Sequence, residues 1–162
     1  PAKLELFDRN VYIIEPNIEM ALALSSEQQE KIEADLMAFK ESDELKALKE
    51  AAGADPSEKK SYYEAVDAAQ KEYLAKTILI LDAKQNELVE KANAFAKQIH
   101  SDYKGEIAAI MAQIKAGEKT WGDRLALVRK HGQERITEIL TPEQITVIRA
   151  NSPEADPTPS DQ

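Results

Sequence analysis

The sequence predicts an all-α protein: an elongated antiparallel helical bundle or hairpin with one very long central helix, an extended N-terminal arm and a disordered C-terminal tail. Three observations predict it. The composition is that of helices packed side by side, with Ala, Glu, Lys and Leu abundant, 6% aromatic residues and only 5 Gly among 162 residues. Apolar residues return every three or four positions through stretches that lack Gly and Pro. Most of these stretches open on a side-chain cap followed by an acid or glutamine. The expected organisation is an arm over 1–15, a single helical domain over 16–150 and an acidic tail over 151–162.

In the arm, Leu4, Leu6, Val11 and Ile13 alternate along one side of an extended strip. Pro16 suits the first turn of a short helix reaching Leu24, with Ile18, Ala21 and Leu22 on one face. Ser25-Ser26-Glu27-Gln28 reads as a capping box, and the helix behind it buries Ile32, Leu36 and Phe39. The apolar phase then slips to Leu45, Leu48 and Ala52, with a break expected at Ser42-Asp43-Glu44 and a stop at Gly53.

Asp55-Pro56-Ser57-Glu58 starts the next helix, with an Asp cap and Pro in the first turn. From Ser57 to Lys104 there is neither Gly nor Pro, and Tyr62, Val66, Ala69, Tyr73, Thr77, Ile80, Leu88, Ala92, Phe95 and Ile99 form a stripe. The spacing predicts one helix of about 70 Å. Ile107, Ile110, Met111 and Ile114 carry the stripe on to Gly117. Ile78-Leu79-Ile80-Leu81, the longest apolar run, is expected inside the core, far short of the roughly 20 residues of a membrane span. Thr120 to Asp123 opens another helix, carrying Leu125, Val128, Ile136 and Ile139 and interrupted by Gly132. In Leu140-Thr141-Pro142-Glu143-Gln144 the threonine caps, the proline takes the first helical position and the glutamine closes the box. The last helix ends near Ala150.

Two of these starts place a leucine directly before the cap: Leu24-Ser25-Ser26-Glu27-Gln28 and Leu140-Thr141-Pro142-Glu143-Gln144. The second is a full Leu-Thr-x-x-Gln pattern, and the first has serine for threonine. Set near the two ends of a helical chain, they resemble the Spy/CpxP-like family of periplasmic proteins. Arg135-Ile136-Thr137-Glu138-Ile139 is similar to that family's last long helix. The motif residues Leu24, Ser25, Gln28, Leu140, Thr141 and Gln144 identify a scaffold, since their own work is capping.

The resemblance implies a thin, curved, antiparallel helical homodimer with a concave face, found in the periplasm once an export signal is removed. It implies an ATP-independent chaperone that binds unfolded proteins, or an envelope-stress adaptor that binds a partner such as a sensor kinase. Two alternatives stay open: a structural helical oligomer without clients, and a metal-sensing relative. The chain departs from the family's basic cradle in its net charge of −9. A locally basic helix remains, and Arg124, Arg129 and Arg135 are the candidate partner-binding residues, against the plainer reading of a solvated basic surface. Ile80 and Leu81 would join them if exposed.

Catalytic chemistry is not expected. There is no cysteine, so thiol nucleophiles, zinc-thiolate sites and iron–sulfur clusters are excluded. The glycines are isolated, which removes phosphate-cradling loops, and no Gly-x-Ser-x-Gly elbow occurs. His100 and His131 are far apart in sequence, and Met20, Met37 and Met111 are scattered. His131 with Glu134 makes at most half a metal site, so no metal or cofactor is expected. The acidic balance argues against nucleic acid. Trp121 and the tyrosines Tyr62, Tyr63, Tyr73 and Tyr103 are expected as packing or interface residues.

Overall fold

The computed structural model describes residues 3–151, and these are helical without strands. They group into two compact units, where the sequence pattern predicts one domain over 16–150. Among the described residues, the first unit joins residues 3–6 to Leu24–Asn86, and the second joins Phe7–Ala23 to residues 87–151.

In the first unit, α2 (Ser26–Lys40), α3 (Asp43–Ala54) and α4 (Lys59–Ile80) pack together, with α4 against both others. Ser25 caps α2 with the full box, accepting from the N–H of Gln28 while the Gln28 side chain accepts from the N–H of Ser25. The break expected after α2 falls at Glu41–Ser42, where the Ser42 hydroxyl accepts from the N–H of Leu45 and starts α3. Ile32, Leu36, Ala52, Tyr73 and Thr77 are buried, and each large apolar side chain among them stabilises the unit by about 1.5–3 kcal/mol. Leu4 and Leu6 are buried as well, and the Tyr73 hydroxyl donates to the Leu4 carbonyl.

In the second unit, α1 (Arg9–Ile14) packs on α7 (Trp121–Glu134). A 3-10 turn, Ile18–Leu22, meets α8 (Pro142–Asn151). α5 (Ala83–Asp102) supplies Leu88, Ala92, Phe95, Ala96 and Ile99 to the core, and α6 (Lys104–Lys115) lies against α7. Thr120 and Asp123 form the capping box expected at the head of α7.

Several expectations are corrected. The arm is not extended throughout, because Arg9–Ile14 is helical. Val11 and Ile14, three apart, go inward there and Ile13 is only half-buried, a helical and not an alternating pattern. The single helix from Ser57 is divided into α4, α5 and α6. α4 stops at Ile80 because Leu81 is extended (φ −75°, ψ 148°) and Asp82 begins a new cap. The second division is a one-residue irregularity at Tyr103, two residues before Gly105, across which Tyr103 N–H still bonds Ile99 O and Ile107 N–H bonds Tyr103 O. In the run 78–81 only Leu81 is buried, while Ile78 and Leu79 are 59% and 86% exposed. Tyr63 and Trp121 are exposed too, so neither is a core residue. The tail expected over 151–162 lies outside the described residues except for Asn151, which ends α8.

Candidate partner-binding site

The leucine–glutamine motifs do more than cap their own helices. In the first, Gln28 also donates through Nε2 to the Ile80 carbonyl at 3.1 Å and to Gln85 Oε1 at 2.7 Å, and Gln85 returns a bond to Gln28 Oε1 at 3.1 Å. In the second, Thr141 and Gln144 exchange both box bonds, at 2.8 and 3.2 Å, and Gln144 Nε2 donates onward to the Ala21 carbonyl at 3.4 Å. Leu140 is buried and Leu24 half-buried. Each glutamine therefore opens one helix and satisfies a carbonyl near the end of another segment, where helix ends leave acceptors unpaired.

Gln85 belongs to a third copy that the apolar stripe conceals in the sequence. Leu81-Asp82-Ala83-Lys84-Gln85 has the same order, with aspartate as the cap. Gln85 N–H donates to Asp82 Oδ1 at 2.8 Å, and Asp82 N–H donates to Gln85 Oε1 at 2.9 Å. Leu81 and Gln85 are buried. The sequence carries its signal, a leucine, a capping residue and a glutamine three further on, but the aspartate cap lies inside a continuous apolar stripe without Gly or Pro. The motifs at Leu24 and Leu140 thus bracket a middle one, and the longer segment of the first unit runs from Leu24 to the residue after Gln85.

The three candidate arginines are engaged inside the second unit. Arg135 bonds Asp102 through Nη1 at 2.6 Å and Glu138 through Nε at 2.6 Å, and its guanidinium lies 5.8 Å from the Tyr103 ring centre. Arg135 thereby holds the Asp102 carboxyl below the usual aspartate range, helped by Gln98, and does the same for Glu138. The two carboxylates in turn raise the already high pKa of Arg135, the Glu138 hydrogen bond contributing most. Arg129 Nε donates to the Ile13 carbonyl near the end of α1 at 2.7 Å, a natural place for a cation. Arg124 lies 5.9 Å over the Trp121 ring, and its Nε is buried without a hydrogen-bond partner among the described residues.

His131 stacks face to face on Tyr103, with centres 3.6 Å apart, and its Nε2 sits 3.0 Å from Glu106 Oε2 without hydrogen-bond alignment. His100 is turned to the Ala96 carbonyl of its own helix, 3.0 Å away. Among the described residues no group of three His, Cys, Asp or Glu side chains is placed to hold a metal ion. Nor is any described helix long and apolar enough to cross a membrane.

Exposed apolar side chains offer a different surface. Ile78 and Leu79 project from the last turn of α4, and Met37 from α2 is 57% exposed. In the second unit Trp121, Leu125 and Val147 are exposed on α7 and α8. No family model matches the chain, and no curated protein or solved structure matches it either.

Proposed function

We propose that the protein is a chaperone-like or envelope-stress adaptor protein of the periplasm, holding unfolded or partner proteins on its helical surfaces without ATP. The observation that carries this reading is the exposure of large apolar side chains on helices that are otherwise densely charged, led by Leu79 and Ile78. Such residues give loose, non-directional attraction to an unfolded chain. Arg124, Arg129 and Arg135 are drawn into contacts within the second unit, so apolar residues take the leading contact role. The Leu-x-x-x-Gln motifs supply the scaffold.

The test is light scattering from an unrelated unfolding protein, with this protein added at sub-stoichiometric and equal ratios. Suppression at near-equal ratio is expected, and Leu79→Ser with Ile78→Ser should weaken it while shifting stability by no more than about 0.5 kcal/mol. Absence of suppression at every ratio would sink the reading for general clients.

A second reading, a helical homodimer or larger scaffold, draws on α6, where Ile107, Ile110, Met111 and Ile114 are only half-buried along one face. Sedimentation equilibrium decides it. A dimer that is lost in Ile110→Asp and Ile114→Asp supports a self-association role, and a monomer at all concentrations removes it.

A further inference from the structure

The first unit contains a groove of about 330 Å³ between α4 and the corner formed by α2 and α3. Its origin lies in the sequence of α4: Ala65, Ala68 and Ala69 fall three and four apart, so the helix presents almost no side-chain volume along that line. Leu45 lines the groove from α3. Phe39 and Tyr73 also line it, their rings stacked at 6.0 Å and 25°. The volume is near the lower end of the roughly 300–1,000 Å³ typical of ligand pockets, enough for one or two apolar side chains.

The rim is predominantly acidic. Asp35, Glu44 and Glu72 border the groove, against a single cation, Lys76. Lys76 lies 3.6 Å from Glu72 and offsets it, while Asp35 and Glu44 have no ion pair among the described residues. An apolar floor beneath two uncompensated carboxylates selects its occupant. It repels acidic peptides and phosphate backbones, and it suits a chain that offers an aliphatic or aromatic anchor flanked by Lys or Arg.

We propose that this groove is a binding site for basic amphipathic polypeptide segments, one or two apolar side chains entering beside Ala69 and flanking cations meeting Asp35 and Glu44. The inference rests on the protein-binding reading above and names the class of segment bound. It also gives the acidity of the chain a use, because a net charge of −9 favours encounter with cationic partners.

The experiment is fluorescence anisotropy of a labelled amphipathic peptide of about 14 residues, roughly four helical turns, built from Lys and Leu at helical spacing. A peptide with Glu for Lys and one with Ala for Leu serve as controls. Saturable binding of the Lys/Leu peptide alone is expected. Ala69→Phe, which fills the groove, should weaken it by about tenfold or more. Asp35→Asn with Glu44→Gln should weaken it by roughly threefold and flatten its salt dependence.

Helical circular dichroism checks each variant, and the charge variants change only rim side chains, so they report even if Ala69→Phe disturbs packing. Equal binding of the Glu/Leu peptide, or full affinity in both sets of variants, overturns the proposal. The two readings fail separately. Client suppression that survives both sets of variants overturns the groove and leaves the general reading standing. Saturable, groove-dependent peptide binding without client suppression does the reverse.

Discussion

Gly132 gives the sharpest test of how the second unit is packed. It lies in α7 under Ile14 of α1, and a Cβ added there would stand 2.5, 2.7 and 2.9 Å from Ile14 Cγ2, Cγ1 and Cδ1. Ordinary carbon contacts lie at about 3.5–4.0 Å, so one of the helices must move by roughly 1 Å. Ile14 cannot turn aside, being 1% exposed and branched at Cβ. Overpacking of this kind costs about 1–3 kcal/mol, while alanine for glycine in a helix returns about 0.8–1.0 kcal/mol. Gly132→Ala should therefore range from nearly neutral to about 2 kcal/mol destabilising.

Gly105→Ala is the matched control. It lies in α6 with nothing within 4 Å of the added Cβ, and should stabilise by up to about 1 kcal/mol. Urea unfolding separates the two, followed by circular dichroism and by the emission of Trp121, the only tryptophan, which opens α7. Combining Gly132→Ala with Ile14→Ala should show a favourable coupling of about 0.5–3 kcal/mol, because the truncated side chain makes room for the methyl. If Gly132→Ala raises the urea midpoint as much as Gly105→Ala does, the close approach of α1 to α7 is wrong.

Two further outcomes are expected. Gln28→Ala and Gln85→Ala should each cost about 1–2 kcal/mol, since each removes half of a capping box and one side of the amide pair, and the double variant should lose less than the sum. Urea midpoints of the four proteins measure this, and strict additivity would refute the pairing. Part of the acid response comes from Asp102 and Glu138, whose pKa values are lowered in the fold, chiefly by Arg135, as those of Asp55 and Asp123 are by the backbone N–H groups they cap. Their contribution is complete above the ordinary carboxylate range and is lost as pH falls through their lower folded values. Between about pH 5 and 2, Asp102→Asn with Glu138→Gln should therefore show a shallower fall in urea midpoint than the parent. Parallel curves would remove this pair of carboxylates from the acid response.

Helical class was legible because it rests on composition and a 3.6-residue period, which local physics sets. The starts at Ser25, Thr120 and Thr141 were legible for the same reason, a side-chain oxygen three residues before an acid or glutamine. The division at Leu81 was not, although its cap is equally local, because a continuous apolar period outweighed an aspartate cap unsupported by Gly or Pro. The helix at Arg9–Ile14 is not legible in the sequence because six residues are too few to separate a period of two from one of 3.6. The roles of the arginines were beyond the sequence, since Asp102 is 33 residues from Arg135 and Ile13 is 116 from Arg129. The groove depends on α2, α3 and α4 converging, and only its alanine line could be read in advance.

The pentads at Leu24, Leu81 and Leu140 also bear on ancestry. Each ends one segment and begins the next with the same local grammar, so a stretch from one pentad to another carries its own start and hands over one of the same pattern. Joining Ala23 directly to Leu81 would keep a leucine, a cap and a glutamine in register at the seam. A chain punctuated this way can gain or lose a whole cassette in one recombination event without inventing a new junction.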